Sequence, residues 1–552
     1  MAKPRLKIIP LGGLSEIGKN MMVLEYADDI LIIDAGLMFP EEEMLGIDLV
    51  IPDINYLLDK RENIRGIVIT HGHEDHVGAL PFILPQLDVP IYATKLTRGL
   101  IQVKLKERKA LTGANLKTAQ FGSKIKLGKF TVEFFPVCHS IPDSAGLIIE
   151  TPVGTVVHSG DFKLDYTPVS GEPTALSRLA QLSAEGVLLL MSDSTYSELP
   201  GYTPSERVVG EALDRVIADA PGRVIVTTFS SLVSRIQQII DAAAKHDRRV
   251  FIIGRSMSDN VKMALELGYL HSPDGVLARM DELKGLAHNK IVFVTTGSQG
   301  EPTSALVRMA NRDHKQLKIN KGDTVVISAT PIPGNEAVVN RTVDNLLKQG
   351  ARVLYDKILP VHVHGHASQE ELKLLLNIVK PKFFVPVHGE YRHLSYHARL
   401  ALSVGIPEEN IFVLEDGDKL EINPQSAKIT DKIAASNVYV DGLSVGDIGS
   451  VVLRDRRMLS KDGIVMVIIA VNRQTGKLVG RPDIVSRGFV DTREAKDMLD
   501  ESRDLVADAL DHGSDRLADW SFVNTKVKDT LNKYYYDQTR RRPMVLPFMV
   551  KV

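Results

Sequence analysis

Short apolar runs separated by polar turns recur along most of this chain. Runs of this kind, when turn residues bound them, are typical of buried β-strands. In residues 6–205 they alternate with loops and helical patterns, as expected of a layered α/β domain. From about residue 206 to residue 350, strand-like and helix-like segments alternate regularly, which predicts a parallel sheet built from βαβ units.

The same pattern divides the chain into domains. A polar stretch that begins near residue 424 is typical of a linker. After the βαβ region the chain should return to the first domain. His388 also ends a strand-like run, and it is a candidate metal ligand like several residues of that domain. The expected segments are a first domain part over residues 1–205, an inserted α/β domain over 206–350, the return over 351–423, a linker over 424–445 and a small C-terminal α/β domain over 446–552.

One loop concentrates residue types that bind metals. The sequence HGHEDH, residues 71–76, directly follows an apolar strand-like run. Three histidines and a carboxylate in six residues are hard to explain by packing, and these ligand types favour zinc or a similar divalent ion. In an extended segment His71 and His73 lie on the same side, so both can reach one ion. Asp75 and His76 fall on the following turn and could bind a second ion.

Four further strand-like runs also end in a histidine or a carboxylate. A single residue of this kind is more often part of a turn or a helix cap. In layered α/β folds, however, ligands gather at the carboxyl ends of strands, so several such ends can meet at one site. Together they supply more ligands than one tetrahedral zinc needs, which argues for two metal ions. The residues at these ends are Asp34, His139, His158 with Asp161, and His388.

The order and spacing of these segments resemble the metallo-β-lactamase superfamily. Residues 190–195 (LMSDST), 364–368 (HGHAS) and 386–390 (PVHGE) resemble the three additional motifs of the β-CASP nucleases. Other segments, spread over the whole chain, are similar to the bacterial ribonuclease J family: residues 11–20, 296–302, 486–489 and 541–544. The resemblance implies an α/β fold: a metallo-β-lactamase αββα sandwich with an inserted β-CASP α/β domain and a small C-terminal α/β domain.

The resemblance also implies how the ligands are shared between two ions. The first ion would be bound by His71, His73 and His139. The second would be bound by Asp75, His76 and His388, with Asp161 bridging the two. Asp34 would orient a ligand histidine from behind. Zinc is the preferred metal, and manganese or magnesium are the alternatives, because histidine and aspartate do not distinguish them.

Catalytic and substrate-binding roles follow from the same resemblance. Asp75 would belong to the catalytic centre, and His366, oriented by Asp193, would act as general acid or electrostatic stabiliser at the leaving oxygen. The alternative for His366 is a structural histidine at the hinge between domains. A pocket for a 5′-phosphate would consist of Ser230, Ser231, His364, Gly365, His366, Ala367 and Ser368. The alternative for the two serines is helix capping, and His364 departs from the family pattern, which more often has a small serine there.

Composition limits how such an enzyme could hold RNA. The chain has 552 residues and a formal net charge of −2, so a local basic channel and the metals, not overall charge, must bind the nucleic acid. The single cysteine, Cys138, excludes an internal disulfide and fits a reducing compartment. There is neither a signal-peptide pattern nor an apolar run long enough to span a bilayer, so we expect a cytoplasmic protein without a membrane partner.

The family implies a metal-dependent ribonuclease that degrades single-stranded RNA. The expected activity is 5′→3′ exonucleolytic with a preference for 5′-monophosphate ends, accompanied by endonucleolytic cleavage, in mRNA decay and rRNA maturation. A homodimer or homotetramer is expected, with other RNA-decay proteins as further partners. Three alternatives stay open at this point: a DNA-directed β-CASP nuclease, a metallo-hydrolase of small esters, thioesters or lactams, and a catalytically silent RNA-binding scaffold.

Overall fold

The computed structural model describes residues 4–110, 113–332, 335–442, 444–475, 477–491, 493–511 and 519–552. In these ranges the strands, numbered along the chain, are β1 (Leu6–Gly12), β2 (Met21–Tyr26), β3 (Asp29–Ile33), β4 (Leu49–Pro52), β5 (Ile64–Val68), β6 (Ile91–Ala93), β7 (Leu116–Thr118), β8 (Lys124–Leu127), β9 (Phe130–Pro136), β10 (Ala145–Thr151), β11 (Gly154–His158), β12 (Val187–Asp193), β13 (Val224–Thr227), β14 (Arg249–Ile253), β15 (Leu277–Ala278), β16 (Ile291–Thr295), β17 (Thr324–Ile327), β18 (Arg352–Leu354), β19 (Phe383–Val387), β20 (Asp418–Ile422), β21 (Ala427–Lys432), β22 (Asn437–Asp441), β23 (Ser444–Val445), β24 (Ile464–Val471), β25 (Asp483–Arg487) and β26 (Met544–Lys551). The helices are α1 (Asn55–Leu58), α2 (Glu74–Val77), α3 (Leu80–Ile83), α4 (Lys95–Glu107), α5 (Leu176–Glu185), α6 (Arg207–Asp219), α7 (Val233–Lys245), α8 (Arg255–Leu267), α9 (Ala305–Ala310), α10 (Glu336–Lys348), α11 (Gln369–Val379), α12 (Tyr391–Ser403), α13 (Ser450–Asp462), α14 (Lys496–Asp511) and α15 (Trp520–Thr539).

The chain forms two compact units, and two facing sheets form the core of the larger one. The larger unit contains Met1–Phe39 with Val50–Val438, and the smaller contains Pro40–Leu49 with Tyr439–Val552. One sheet has the order β21-β20-β1-β2-β3-β5-β6-β7, and the other has the order β19-β12-β11-β10-β9-β8. Their inner faces share one apolar core.

Residues of β10 show why both faces of a sheet are covered. Leu147 belongs to the core between the sheets, whereas its neighbour Ile148 belongs to the core under the helices on the other side. Successive side chains of a strand point to opposite faces, so a strand that is apolar throughout must be buried on both. Helices α5, α11 and α12 cover the six-stranded sheet, and α4 packs against β6 and β7 of the eight-stranded sheet.

A third sheet lies between β12 and β19 in the sequence. Its order is β15-β14-β16-β13-β17-β18, and all neighbouring strands are parallel. Helices α6, α7 and α8 cover one face and helices α9 and α10 the other. This is the parallel βαβ sheet that the alternation predicted. It includes β18, which lies beyond the expected boundary at residue 350, because a three-residue strand gives only a weak apolar signal.

After this sheet the chain rejoins the sandwich. β19 pairs in parallel with β12, and β20 pairs antiparallel with β1. The segment 424–445, expected as a linker, instead begins with β21, which pairs with β20 and forms the edge of the eight-stranded sheet. Five of the six side chains of β21 are exposed, so the segment lacks the apolar alternation from which a strand is predicted.

The smaller unit contains a three-stranded sheet. β24 lies in the centre, antiparallel to β25 and parallel to β26. Helices α14 and α15 cover one face, where Val467 packs among Val506 and Leu531. The grouping of Pro40–Leu49 with this unit was not expected from the sequence. Over the ranges that the structure describes, the helices are all too short or too polar to cross a membrane.

Candidate metal centre

The HGHEDH loop is fixed by a second loop that lies against it. The HGHEDH loop follows β5 and ends in the one-turn helix α2. The segment after β3 donates backbone hydrogen bonds to it, from Ala35 N to the carbonyl oxygen of His76 (2.8 Å) and from Leu37 N to that of Glu74 (3.0 Å). Gly36 permits this approach, because a Cβ there would lie 1.6 Å from the carbonyl oxygen of Asp75. The HGHEDH loop is therefore held in place by backbone hydrogen bonds from the segment that follows β3.

Three histidines converge at one end of the site. Nε2 of His71 lies 3.0 Å from Nδ1 of His73, and Nε2 of His139 lies 3.2 Å from the same atom. The outward nitrogens have other partners. Nδ1 of His139 donates to the carbonyl oxygen of Gly365 (2.8 Å), and Nδ1 of His71 faces the hydroxyl of Thr70 (3.1 Å). The three inward nitrogens therefore present lone pairs to one another.

Burial keeps these three rings neutral. It is the largest influence on each of them, and it lowers the pKa of His73 to about 4 and the pKa values of His71 and His139 well below the usual range. With the single proton of each neutral ring on its outward nitrogen, the inward lone pairs of His71 and His139 face that of His73 at 3.0 and 3.2 Å and repel it. A cation that accepts all three satisfies them, and ring nitrogens are ordinary zinc ligands. The first group thus fits a metal ion by its chemistry as well as by its spacing.

A second group joins two histidines to two carboxylates. Asp75, His76, Asp161 and His388 offer ligand atoms that lie within 4.8 Å of one another. Nε2 of His76 is 3.2 Å from Oδ2 of Asp161, and Nε2 of His388 is 3.1 Å from Oδ2 of Asp75. On the other side of the His76 ring, Nδ1 donates to Oδ2 of Asp34 at 2.7 Å. Asp34 therefore holds the ring of a proposed ligand, His76, and its role as an orienting residue stays a prediction.

One carboxylate oxygen lies near both groups. Oδ2 of Asp161 is 3.6 Å from Nε2 of His71 and 3.9 Å from Nε2 of His139, in the first group. It is 3.2 Å from His76 and 3.6 Å from His388, in the second. An oxygen in this position can bridge two ions, because it is close to the donor atoms of each.

Charge separates the second group from the first. Burial would lower the pKa of His388, but the carboxylates of Asp161, Asp75 and Asp193 outweigh it and raise the pKa to about 9. The pKa of His76 is raised well above its usual value, because the carboxylates of Asp161, Asp75 and Asp34 outweigh the effect of burial. Without a metal this group therefore holds protons at neutral pH. A divalent ion would take their place, since it needs neutral imidazoles and ionised carboxylates.

His366 and Asp193 form a pair beside the two groups. Nδ1 of His366 lies 2.7 Å from Oδ2 of Asp193. The other oxygen of Asp193 accepts from the amide and the hydroxyl of Thr195, at 3.0 and 2.9 Å. Burial is the largest influence on His366 and lowers its pKa, but the carboxylates of Asp193 and Asp161 together outweigh it, so the net direction is upward. His366 and Asp193 also lie within ligand distance of Asp161 and His388, so this imidazolium adjoins the metal groups.

The segment predicted for the phosphate pocket divides into two parts. The ring of His364 stacks on Tyr196 with 3.9 Å between centroids, and Gly365 lies so close to His139 that a Cβ would be 2.6 Å from its ring. Ala367, by contrast, is buried in the apolar core under α11. Ser368 is the N-cap of α11, and its hydroxyl lies 3.0 Å from that of Thr203. The first part borders the metal groups, and the second supports a helix.

Ser230 and Ser231 lie in the turn between β13 and α7. The Oγ of Ser230 accepts from Nδ2 of Asn260 at 3.1 Å. Helix α7 begins at Val233 without a side-chain cap, so the two serines do not cap it. Among the residues that the structure describes, no hydrogen bond links them to the segment 364–368.

Three residues of the site were missed. Nδ2 of Asn20 donates to the carbonyl oxygen of Asp75 at 3.1 Å and lies 3.2 Å from Nε2 of His76. The hydroxyl of Thr195 contacts Nδ1 of His388, and that of Thr70 donates to Asp34 at 2.8 Å. Asn20 and Thr195 lie in segments that carry the family resemblance, which marked them without giving a role. Thr70 had no signal except its place before the histidine loop.

Four sequence-family models match successive parts of the chain. They are described as "Metallo-beta-lactamase superfamily" (residues 15–226), "Ribonuclease J, beta-CASP domain" (221–346), "Zn-dependent metallo-hydrolase RNA specificity domain" (352–413) and "Ribonuclease J C-terminal domain" (451–552).

Similar proteins match over nearly the full length. Ribonuclease J2 of Bacillus subtilis is 43% identical over 548 residues, which are 99% of this chain and 99% of that protein. Ribonuclease J of Thermus thermophilus is 45% identical over 553 residues, covering 99% of this chain and 95% of the other. The chain belongs to the ribonuclease J family. A solved structure, of a protein of unknown function from Enterococcus faecalis, superposes with a TM-score of 0.55 at 17% identity over 76% of this chain and 100% of that one, which shows the fold alone.

Membership of the ribonuclease J family confirms the main expectations from the sequence. The fold is a metallo-β-lactamase domain with a β-CASP domain and a ribonuclease J C-terminal domain. The protein is a metal-dependent ribonuclease, and its substrate is RNA. The fold and the histidine and aspartate groups together indicate a metal centre.

Proposed function

We propose that this ribonuclease degrades single-stranded RNA from the 5′ end at a centre of two divalent metal ions. It prefers 5′-monophosphate ends and cleaves internally as a second activity. The observation that carries the two-ion centre is the single oxygen of Asp161, which lies within 3.9 Å of ring nitrogens from both ligand groups. The His366–Asp193 pair beside it supplies the proton donor that hydrolysis of a phosphodiester needs.

The proposed ligands are those that the two groups bring together. His71, His73 and His139 bind one ion, and Asp75, His76 and His388 bind the other, with Asp161 between them. Zinc is proposed first because imidazole is the main donor; manganese and magnesium are the alternatives. When bound, two such ions lower the pKa of water and stabilise the charge that develops on the phosphodiester.

The protein's own side chains orient the reaction. Asp34 fixes the ring of His76, and the carbonyl oxygen of Gly365 fixes the ring of His139. As the P–O3′ bond breaks, Nε2 of His366 gives its proton to the leaving oxygen, while Nδ1 stays bonded to Asp193. The raised pKa of His366 supports this role, because the ring must be protonated before the bond breaks.

The 5′-phosphate pocket is proposed around Ser230, Ser231 and the segment from His364 to His366. Ala367 and Ser368 contribute by holding the start of α11, because the hydroxyl of Ser368 is already engaged. We also propose roles in mRNA decay and rRNA maturation in the cytoplasm, a homodimer or homotetramer, other RNA-decay proteins as partners, and the expected order of domains, with β18 in the inserted domain and β21 in the first. Family membership is what supports these last points.

One cleavage experiment tests the central proposal. A single-stranded RNA labelled at its first nucleotide is offered with either a 5′-monophosphate or a 5′-triphosphate, in the presence of zinc, manganese or magnesium. We expect rapid release of labelled mononucleotide from the monophosphate form only. Internal fragments from both forms, without labelled mononucleotide, would exclude the end-directed activity. A lack of cleavage with all three metals would exclude the proposed centre.

A further inference from the structure

One segment of the larger unit is strongly basic. Residues 95–129 contain ten lysines and arginines but a single acidic residue, Glu107, whereas the formal net charge of the whole chain is −2. The rest of the chain is therefore acidic in balance. We call residues 95–129 the basic segment. A positive region of this size in an otherwise acidic protein concentrates the attraction for polyanions at one place.

In the ranges that the structure describes, 95–110 and 113–129, the basic segment forms one border of the sandwich. It contains α4, β7 and β8, and these two strands are the outermost strands of the eight-stranded and six-stranded sheets on that side. Between them Phe121 pairs with Phe134 of β9, so the connection stays against the sandwich. Lys124 and Lys126 alternate with less exposed residues along β8 and therefore point outward together. Both border strands and the end of α4 thus present cations to solvent.

Most of these cations have no acidic partner. Lys104 pairs with Glu74 and Lys124 pairs with Glu150. Four others, all exposed, form no ion pair with any residue in the described ranges: Lys106, Lys109, Lys126 and Lys129. Like charges without partners oppose folding rather than stabilise it. A negatively charged ligand that binds here would explain why so many unpaired lysines are concentrated in one segment.

Two further cations lie over aromatic rings. The guanidinium of Arg108 is 5.2 Å from the ring centre of Phe82, and the ammonium of Lys117 is 5.3 Å from that of Tyr92. Neither has an ion pair in the described part of the chain. Cations beside aromatic rings are the combination that single-stranded nucleic acids bind, through the backbone and the bases respectively.

Helix α4 connects this surface with the metal centre. Lys104 contacts the carboxylate of Glu74, which lies between the proposed ligands His73 and Asp75. Leu100 packs on the same loop, since a Cβ at Gly72 would lie 2.4 Å from its Cδ1. The end of α4, with Lys106, Arg108 and Lys109, therefore directly follows the contact with the HGHEDH loop, and the chain continues from there to the cations of β7 and β8.

We propose that the basic segment is a second RNA-binding surface, which holds the sugar-phosphate backbone of the substrate outside the metal centre. This rests on the proposed function, in which the rest of a long RNA remains bound while its end is cleaved. Binding of this kind depends on the charge of the phosphates and not on the base sequence. Lysines also protect exposed sheet edges from aggregation. That role does not require Lys106, Arg108 and Lys109, which lie at the end of a helix.

A binding experiment without metal tests this surface separately from catalysis. The variant carries Lys106→Gln, Lys109→Gln, Lys126→Gln and Lys129→Gln. The matched control carries Lys315→Gln, Lys321→Gln, Lys348→Gln and Lys428→Gln, four exposed lysines elsewhere in the larger unit that also form no ion pair in the described ranges, one of them on β21 at the opposite edge of the eight-stranded sheet. Binding of a single-stranded RNA of about 30 nucleotides is measured in EDTA at several salt concentrations, since an RNA longer than the centre is needed to reach the surface.

We expect the variant to bind the long RNA about 10-fold more weakly than the control, with a salt dependence shallower by about 0.7 for each phosphate that is no longer neutralised. Turnover of a dinucleotide RNA, with metal, should stay equal in both, because two nucleotides held at the metal centre leave no further backbone for the surface to bind. Equal affinity of the two proteins for the long RNA would overturn the proposal, as would tighter binding of polyglutamate than of RNA, which would indicate an acidic protein partner. Aggregation of the variant with unchanged RNA affinity would show that the lysines only protect edges. If the unaltered protein cleaves neither RNA, the proposed function fails, while the binding result still stands.

Discussion

The two halves of the metal centre are built from opposite electrostatics. In the first group burial leaves three histidines neutral, and it lowers the pKa of His73 to about 4. In the second group carboxylates overcome burial, and the pKa of His388 rises to about 9. The first group is ready to accept a cation, whereas the second must lose protons to accept one. The protein thus prepares two neighbouring sites, one by excluding water and the other by supplying negative charge.

The largest effect should come from the residue that both groups share. We expect Asp161→Ala to remove both ions and to lower RNA turnover by about 10³-fold or more, because the loss of a single central electrostatic element already costs about 10²–10³. Metal content by mass spectrometry and turnover of the labelled RNA measure this. Glu172→Gln, an exposed carboxylate, is the control. Retention of one full equivalent of metal by Asp161→Ala would show that the two groups are independent.

Replacing one histidine in each group should separate the groups. We expect His139→Ala to lose the first ion and His388→Ala the second, each with turnover reduced by about 10²-fold, because two-ion hydrolysis needs both. Circular dichroism checks that each variant folds. If His388→Ala lost both ions, the first ion could not bind without the second. The difference in electrostatics would then not reflect two separable sites.

A smaller effect is expected from residues behind the ligands. Asp34→Ala frees the ring of His76 and should weaken metal binding by about 10–100-fold, as is usual for such partners. The loss should fall on the ion that His388→Ala also removes. Gly365→Ala is the counterpart for the first group, since its Cβ would lie 2.6 Å from the ring of His139. Competition with a fluorescent chelator measures both affinities; a weakened first site in Asp34→Ala would contradict the assignment.

The dependence of metal affinity on pH, the smallest effect when counted per pH unit, should distinguish the two groups directly. Below the pKa of about 9 of His388, an ion entering the second group displaces a proton, so its affinity should rise by about 10-fold per pH unit for each proton released. The first group, already neutral, should show no change between pH 6 and pH 9. His139→Ala and His388→Ala allow each group to be titrated alone by calorimetry. Equal pH dependence in both variants would refute the difference.

The same shift affects the metal-free protein. Since the pKa of His388 is raised above the value of 6.5, its ionisation stabilises the fold fully below pH 6.5. This stabilisation is lost as pH rises to about 9. Thermal unfolding in EDTA should therefore show a lower midpoint at pH 9 than at pH 6.5, and His388→Gln should reduce that difference.

Most of the proposed ligands follow apolar runs, which is why the sequence marks them as candidates. His71 and His73 lie in one short loop, so their proximity needed no knowledge of the fold. The approach of His139 and His388 to that loop could be expected only from the rule that ligands gather at the carboxyl ends of strands and from the family resemblance, because their contacts bridge long stretches of sequence. The hydrogen bond from His139 to Gly365, for example, spans 226 positions. Apolar periodicity carries no information at such range.

The remaining differences have a local cause. β21 is exposed along nearly all of its length, so its pairing with β20 is determined by backbone hydrogen bonds that leave no apolar pattern. Ser368, whose contact with phosphate stays a prediction, begins α11 with Glu371 three residues later, the arrangement in which a serine caps its own helix. In both cases hydrogen bonds to backbone groups, which every sequence has, hold the residues in place.

The contact between His139 and Gly365 also determines when the enzyme can first act during its synthesis. A ribosome that has reached residue 360 has already made six of the seven proposed ligands, but neither the carbonyl oxygen that orients His139 nor His388. The sandwich also lacks β19 until the βαβ sheet between has been translated. We therefore expect a nascent chain that has not yet reached residue 388 to be inert toward the messenger that encodes it, because the proposed second group lacks one of its ligands until then.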